Sequence, residues 1–189
     1  MKDWTRYYDA AGLDPRETLV DALARFDEPG DAVDLGCGTG RDTFELLRRG
    51  WHVLAIDAQE EALRRVRAAV GGYERLETRV ATFEDATLPS CDLVNASFAL
   101  PLCPPQRFDE FWRRIGDALR PGGRFCGQLF GDRDGWAGDP TITFHTRADA
   151  ERLLVAYDVE CLDEEEEDST TVVGDAKHWH LFHVVARKR

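Results

Sequence analysis

Short apolar runs alternate with amphipathic stretches through the first two thirds of the chain. The apolar runs predict buried strands, and apolar positions that recur every three or four residues predict helices. The predicted strands cover residues 32–35, 51–56, 76–81, 91–95 and 124–130. Strands that alternate with helices across short connections predict a parallel sheet with helices on both faces. Such sheets bind ligands at the carboxyl ends of their strands.

The N-terminal stretch is predicted to be helical and carries Trp4, Tyr7 and Tyr8 in a polar setting. Two interpretations stay open for these aromatic residues. They hold a helix on the body of the protein, or they form a lid that lies over a ligand. Further along, Asp14 is predicted to cap a second helix, with Pro15 at its first position.

The last third of the chain changes character, beginning with a glycine- and aspartate-rich loop. Thr146 and Asp149 then form a capping-box pair that predicts a short helix. Residues 155–162 and 177–187 predict two strands of an antiparallel hairpin, and the acidic run 163–168 predicts a solvated turn region between them. The whole pattern predicts an α/β fold with a Rossmann-like, doubly wound sheet of seven strands, mostly parallel with a C-terminal antiparallel hairpin.

Composition narrows the classes of function. The 189 residues are 43% apolar, which predicts one domain with a sizeable core. A net charge of -12 argues against non-specific nucleic-acid binding and against docking on an anionic membrane. The sequence contains neither an apolar run of membrane-spanning length nor a signal-peptide core. Five dispersed cysteines without a C-x-x-C pair predict reduced thiols and a cytoplasmic location.

The first predicted strand runs into Asp34-Leu35-Gly36-Cys37-Gly38-Thr39-Gly40, a turn with glycine at every second position. Such a turn lets the backbone approach a ligand with no Cβ in the way, and the helix after it points N–H groups at the same place. Asp57 follows 21 residues after Gly36, at the end of the second predicted strand. A carboxylate there can bind both hydroxyls of a ribose.

Dinucleotides and adenosyl-amino-acid cofactors both satisfy this spacing. The turn, however, reads G-x-G-x-G and not G-x-G-x-x-G. Asp34 would repel a pyrophosphate but suit the cationic end of an amino acid. The predicted antiparallel hairpin is a third feature that favours the adenosyl-amino-acid class.

On these residues the sequence resembles a class I S-adenosylmethionine-dependent methyltransferase. The stretches that carry the resemblance are residues 33–40, 53–57, 95–100 and 119–123. The last of them matches the family's L-x-P-G-G turn before the fifth strand. Residues 40–43 and 177–180 further resemble small bacterial methyltransferases of the thiopurine and tellurite-resistance type, and no substrate is inferred from that narrower likeness.

The resemblance implies S-adenosyl-L-methionine as the cofactor, together with a set of contacts. The residues implied to bind it are Trp4, Tyr8, Asp34, Gly36, Cys37, Gly38, Gly40, Asp57, Ala58, Phe83, Glu84, Asn95, Ala96 and Phe98. Asp34 and the glycines would face the methionine part, and Asp57 would bind the ribose. Ala58 and Phe83 would lie near the adenine, where either Glu84 or Asp85 fills a second position. The residues after the fourth strand would line the mouth of the acceptor pocket.

No catalytic residue is predicted, because a sulfonium is already an activated methyl donor and transfer needs mainly alignment in a dry site. The candidates on the acceptor side are Asp132, Arg133, Trp136, His178, His180 and His183. A strand would put His178 and His180 on one face and His183 on the other. No metal site is predicted, since only two histidines converge and the sequence identifies no carboxylate partner.

We therefore expect an enzyme that methylates a small-molecule acceptor, with neither nucleic acid nor membrane as partner, as a monomer or weak homodimer. An NAD(P)-dependent oxidoreductase and a non-catalytic S-adenosylmethionine-binding module remain as alternatives. Residues 1–28 would form a helical lid, residues 31–130 the cofactor-binding core, and residues 131–189 the substrate-side loop and hairpin of one domain.

Overall fold

The computed structural model describes residues 4–189. The strands are β1 (Asp31–Leu35), β2 (His52–Asp57), β3 (Leu76–Val80), β4 (Cys91–Ala96), β5 (Leu119–Gly131), β6 (Phe144–His145), β7 (Tyr157–Thr170) and β8 (Ala176–Lys188). The helices are α1 (Trp4–Ala10), α2 (Glu17–Leu23), α3 (Arg41–Arg48), α4 (Glu60–Val70), α5 (Pro105–Ala118) and α6 (Arg147–Leu153), with one 3-10 turn at Leu100–Leu102.

One sheet organises the described residues, in the order β3-β2-β1-β4-β5-β8-β7. Strands β1 to β5 are parallel, whereas β8 runs antiparallel to both β5 and β7. The predicted α/β fold is thereby confirmed, with mostly parallel strands and a C-terminal antiparallel hairpin. The structure adds the two-residue strand β6, which pairs with the end of β5. Since β1 has β2 on one side and β4 on the other, the order of strands reverses at β1, where such sheets bind ligands.

Helices cover both faces because successive strand residues point in opposite directions. On one face, Val33 and Val94 share an apolar core with Phe111 of α5. On the other face, Ala32 and Leu93 share a core with Leu19 of α2 and Leu46 of α3. Two apolar layers therefore hold the sheet between them and fix the position of its carboxyl edge.

The start of α2 differs from the prediction. The helix begins at Glu17, and its N-cap is Arg16 in an extended conformation without a side-chain cap. The backbone N–H of Arg16 instead donates to a carboxylate oxygen of Asp42 at 2.9 Å. This bond holds Arg16 out of the helix, so Asp14 and Pro15 precede the helix and do not cap it.

The predicted turn before the fifth strand also differs, because residues 119–123 already belong to β5. The pairing of β4 with β5 shifts register between Cys91 and Leu93. Gly122 lies in this irregular stretch with a φ of +82°. A bulged strand start thus replaces a separate turn, and glycine supplies the left-handed conformation that it requires.

The acidic run forms a strand, which corrects the prediction of a solvated turn region. Residues 163–168 lie inside β7 and pair with β8, opposite His183, His180 and His178 at three positions. The histidines and a nearby Arg133 supply hydrogen-bond donors to these carboxylates. Like charges on neighbouring strand residues are therefore tolerated, since Glu164, Glu165, Glu166 and Asp168 each have a histidine or arginine partner.

Candidate functional site

A cavity of about 780 Å³ opens at the carboxyl edge of the sheet. Most of the residues predicted to bind the cofactor lie in its wall, namely Trp4, Tyr8, Asp34, Gly36, Cys37, Gly38, Asp57, Ala58, Phe83, Glu84 and Phe98. Such concave sites are the usual place for a small ligand. The sequence therefore identified much of the wall, although it named nothing at the tip of the hairpin.

The glycine turn bends under the cavity with a left-handed backbone. Gly36 and Gly38 have φ values of +63° and +54°. The N–H groups of Gly36 and Cys37 both donate to the carbonyl of Ile56, at 2.8 and 3.1 Å. A Cβ on Gly36 would come within 2.4 Å of the Ala99 side chain, so this position excludes any side chain.

The space beside Gly38 is open. A Cβ there would lie 3.9 Å from the Tyr8 ring and 4.0 Å from the carbonyl oxygen of Gly36. The turn therefore presents bare backbone to the cavity at this point.

Asp57 lies at the end of β2, beside the turn, and is largely buried. One carboxylate oxygen accepts from the Gly38 N–H at 2.9 Å, and the other accepts from the Gln59 N–H at 2.8 Å. Burial raises the pKa of Asp57, and these backbone bonds oppose that shift. Each carboxylate oxygen keeps accepting capacity, so the group is held in place and can still receive two hydroxyls.

Asp34 belongs to a buried polar cluster that the sequence did not reveal. Asp34 and Asp42 both accept from the side-chain amide of Asn95, at 2.8 and 3.0 Å. The Thr43 hydroxyl donates to Asp34 as well. Burial, and then the nearby Asp42 carboxylate, raise the pKa of Asp34 to about 7. Two carboxylates thus share a dry site next to the turn, which is an arrangement that a cationic ligand group would stabilise.

Three of the residues predicted to bind the cofactor, Gly40, Asn95 and Ala96, are not part of the cavity wall. The Asn95 amide points back to the two carboxylates. The missing Cβ of Gly40 would face Val66 and Phe44, at 2.8 and 2.9 Å. Ala96 is fully buried in the core under α5. These three residues therefore contact the interior of the protein behind the cavity wall.

The loop after β3 is fastened by a residue that the sequence did not single out. The guanidinium of Arg114 on α5 donates to the carbonyls of Phe83 and Glu84, at 2.6 and 3.1 Å. Asp85, the alternative to Glu84, pairs with Thr82 and does not line the cavity. Of the two predicted positions, Glu84 is the one that lines the cavity.

Helix α1 lies over the glycine turn, and its aromatic residues pack against one another and line the cavity. Tyr8 is buried, and Trp4 stacks on it with ring centres 6.4 Å apart. Burial, and then the Asp57 carboxylate, raise the pKa of Tyr8. Arg6 donates to the carbonyl of Val173 at 3.0 Å, so α1 also touches the turn between β7 and β8. The prediction for residues 1–3 lies outside the described residues.

The far wall of the cavity is aromatic. It is formed by Phe98, Trp179, Trp136 and Phe130. Their ring centres follow one another at 5.9 Å from Phe98 to Trp179, 5.8 Å from Trp179 to Trp136, and 5.9 Å from Trp136 to Phe130. We call these four residues the aromatic wall. Its rings give a planar ligand apolar faces to contact.

Two buried groups support the aromatic wall from behind. Phe98 has a φ of +53°, rare for a bulky residue, and its N–H donates to the side-chain oxygen of Gln128 at 3.0 Å. The ammonium of Lys177 pairs with buried Asp134 and lies 4.0 and 4.1 Å from the ring centres of Trp136 and Trp179. The wall is therefore fixed by hydrogen bonds and cation–π contacts.

The remaining acceptor-side candidates lie away from the cavity wall, apart from Trp136. Asp132 and Arg133 face the outer surface of the hairpin. His180 contacts Glu164 at 3.0 Å, and His178 contacts Asp168 at 2.8 Å. The hydrogen bond to Asp168, and then one to Glu166, raise the pKa of His178.

Carboxylate partners thus exist for these histidines, contrary to the sequence-based expectation. Residues 4–189 nevertheless contain no group of three such side chains placed to hold a metal ion. Nor does this part of the chain include a helix with the length and apolarity needed to cross a bilayer.

Comparison with known proteins connects this geometry to a family. Residues 32–123 match the family described as a methyltransferase domain. A carboxy-S-adenosyl-L-methionine synthase from Aeromonas salmonicida is 32% identical over 109 residues, which are 53% of this chain and 44% of that protein. A trans-aconitate 2-methyltransferase from Rhodopseudomonas palustris is 32% identical over 137 residues, 68% of this chain and 51% of that protein. The chain therefore spans about half the length of the curated relatives it matches.

Solved structures share the fold over nearly the whole chain. TehB from Haemophilus influenzae superposes with a TM-score of 0.78 at 16% identity, covering 92% of this chain and 62% of that one. The 1,6-didemethyltoxoflavin-N1-methyltransferase of Burkholderia thailandensis gives a TM-score of 0.71 at 22% identity, covering 96% and 80%. At identities this low, the similarity to these structures shows a shared fold and does not show a shared function.

Proposed function

We propose that this protein is a class I S-adenosylmethionine-dependent methyltransferase that acts on a small-molecule acceptor, an interpretation supported by the match of residues 32–123 to the methyltransferase-domain family. The observation that carries the proposal is the continuity of one cavity. Its wall runs from Asp57 and the glycine turn to the aromatic wall without a break in the lining. Such a cavity holds a cofactor and an acceptor side by side, as group transfer between them requires.

The cofactor half fits S-adenosylmethionine in shape and in charge. Bare backbone at Gly38 leaves room for the ligand, and the carboxylate of Asp34 suits its cationic methionine end. The two oxygens of Asp57 are fixed by backbone N–H groups and would receive the ribose hydroxyls. Ala58, Phe83 and Glu84 would surround the adenine. A sulfonium in this site supplies an already activated methyl group.

The protein's own contribution is alignment and exclusion of water. Helix α1 and the tip of the β7–β8 hairpin meet through Arg6 and Val173 above the cavity. The Tyr8 ring lies over the glycine turn, and the aromatic wall forms another side of the same cavity. Residues held in this way bring two reactants together in a dry site, which lowers the barrier to transfer. We assign no general base, because its need depends on the acceptor.

We further propose a functional division of the domain. Residues 1–28 act as the helical lid, residues 31–130 as the cofactor-binding core, and residues 131–189 as the substrate-side loop and hairpin. The strongly acidic charge supports a small molecule over nucleic acid as the acceptor. We also propose that the protein works in the cytoplasm, as a monomer or weak homodimer. Its five cysteines show no disulfide spacing pattern, which supports a reducing compartment.

Calorimetric titration tests the cofactor half. We expect S-adenosylmethionine and S-adenosylhomocysteine to bind and NADH not to bind. Asp57→Ala should weaken binding of the adenosyl compounds by about tenfold or more, since charge-assisted hydrogen bonds are lost. The exposed Asp27→Ala is the matched control and should leave affinity unchanged. Tight NADH binding with none for the adenosyl compounds would favour an NAD(P)-dependent oxidoreductase and refute the proposal.

Gly38→Val gives a second test of the same half. Its side chain would project toward Tyr8 and into the space proposed for the cofactor. We expect the variant to fold, as judged by circular dichroism, with a lower unfolding midpoint because valine is strained at a φ of +54°, and to lose binding of S-adenosylhomocysteine. Retained binding would show that the glycine turn is not the site. Release of S-adenosylhomocysteine from S-adenosylmethionine on addition of an acceptor then distinguishes an enzyme from a non-catalytic binding module.

A further inference from the structure

Arg16 is a cavity residue that the family motifs do not include. It lies between α1 and α2 and lines the cavity, with its guanidinium carbon 4.4 Å from the ring centre of Phe98. Burial, and then the nearby Arg41, lower the pKa of Arg16. The side chain also hydrogen-bonds to Tyr7. Guanidinium groups stay charged even in such surroundings, so a positive charge stands at the edge of the aromatic wall.

The Asp42 carboxylate, which accepts from the Arg16 backbone N–H, attracts this charge without forming a direct ion pair with the guanidinium. Among residues 4–189, no carboxylate oxygen comes within ion-pair distance of the Arg16 guanidinium, although its backbone N–H binds Asp42. Elsewhere the arginines pair readily: Arg124 binds Glu160 at 2.7 Å, and Arg133 binds Glu166 at 2.7 Å.

Within the described residues, half-buried Arg41 and Arg114 also form no ion pair, but their guanidinium groups donate to backbone carbonyls, whereas that of Arg16 lies against the Phe98 ring in the cavity. A ligand anion would supply the missing counter-charge.

The aromatic wall indicates what kind of molecule carries that anion. Phe98 contacts Arg16 on one side and Trp179 on the other, so the charge and the rings form one continuous surface. Aromatic faces bind flat apolar ligands, while a guanidinium binds carboxylates through a planar fork of donors. The two features together select a flat molecule with an acidic group at one edge.

We propose that the methyl acceptor is a planar aromatic acid, with its ring on the aromatic wall and its anionic group on Arg16. The inference rests on the proposed function, because it assigns the acceptor half of the same cavity. Glu165 and Glu167 lie at the rim of this half and carry the opposite charge. Both are exposed, and Glu165 is bound to His183 at 2.7 Å, so their repulsion is weakened by solvent and by pairing.

The test uses the full chain saturated with S-adenosylhomocysteine and three probes: 2-naphthoate, its neutral amide 2-naphthamide, and the non-planar acid hexanoate. Calorimetry should show 2-naphthoate binding about tenfold or more tightly than either of the others. Arg16→Gln should abolish the preference for the acid over the amide, and Arg16→Lys should keep part of it. Arg75→Gln removes the same charge from an exposed position outside the cavity and should change nothing.

A second arm separates the acceptor from the cofactor as the source of the anion. Without any acid present, S-adenosylhomocysteine is compared with 5′-methylthioadenosine, which lacks the amino-acid end. Arg16→Gln should leave the preference for S-adenosylhomocysteine intact. Loss of that preference would assign Arg16 to the cofactor carboxylate and overturn the proposal.

The outcomes also separate this proposal from the broader one. If S-adenosylhomocysteine does not bind the unaltered protein, the proposed function fails. If it binds but 2-naphthoate binds no better than 2-naphthamide, only the aromatic-acid proposal fails.

Discussion

Replacing Asp34 with asparagine should stabilise the ligand-free protein while weakening its ligand binding. Asp34 is fully buried beside Asp42, and burial raises its pKa from an ordinary value near 3.8 to about 7. Asparagine has almost the same shape: its oxygen can accept from Asn95, and its NH2 can donate to the Thr43 hydroxyl, which reverses that bond. The substitution therefore removes a buried charge without removing its partners.

The magnitude follows from the pKa. The pKa of Asp34 is higher in the folded protein than in the unfolded chain. Its protonated carboxyl therefore contributes fully to stability below about pH 4, and this contribution is lost as the pH rises through about 7. The full span from 3.8 to about 7 corresponds to about 4 kcal/mol. Since Asp34→Asn does not titrate, the variant should gain on the unaltered protein by up to that amount between pH 4 and pH 8.

Urea unfolding at a series of pH values measures this difference directly. The free energy of unfolding of Asp34→Asn, minus that of the unaltered protein, should rise steadily with pH and level off above about 7. The exposed Asp27→Asn serves as the control and should give a flat difference. S-adenosylhomocysteine should bind Asp34→Asn more weakly, because its ammonium group loses a carboxylate. A difference in stability that is independent of pH would refute the assignment of the buried charge to Asp34.

Three further substitutions test the surroundings of the cavity. Gly36→Ala would place a Cβ within 2.4 Å of Ala99, so we expect a lower unfolding midpoint and loss of S-adenosylhomocysteine binding together. Gln128→Ala would leave the Phe98 N–H without its acceptor and should cost about 1–3 kcal/mol in urea unfolding. Burial lowers the pKa of His145 to about 4. The stability that this neutral imidazole contributes is full above about pH 6.5 and is lost as the pH falls through about 4. In pH-dependent unfolding, His145→Phe should therefore lose less stability at acid pH than the unaltered protein.

The fold was largely predictable because its signals are local. Apolar runs, glycine breaks and the Thr146 cap each act within a few residues, and each places an element close to its observed bounds. The acidic run failed because its strand partners are not local. Asp168 pairs with His178 and Asp163 with His183, across a turn that the sequence alone did not place. Charge density therefore indicated a loop where cross-strand pairing makes a strand.

The same distinction applies to the site: its local features were predictable from the sequence, and its long-range contacts were not. The glycine turn and Asp57 lie in consecutive loops, and a spacing rule finds them. Asp42 escaped notice because an acidic residue in the first turn of a helix is ordinary, and it is explained by the helix dipole alone. Its real partners, Asn95 and the backbone of Arg16, lie 53 and 26 residues away along the chain. Only the folded arrangement shows that it shares a buried site with Asp34.

The part of the cavity proposed for the acceptor combines residues from both ends of the chain with Phe98 and Phe130 from its middle. Arg6 reaches Val173 across 167 residues, and Gln128 reaches Thr18 across 110. Contacts of this kind fix the aromatic wall without involving the glycine turn or Asp57. Changes at Arg16 or in the aromatic wall are therefore expected to alter the proposed choice of acceptor while leaving the affinity for the cofactor in place. The sequence signals concentrate in the glycine turn and Asp57 because both belong to the one β1–α3–β2 unit, within which spacing is fixed locally.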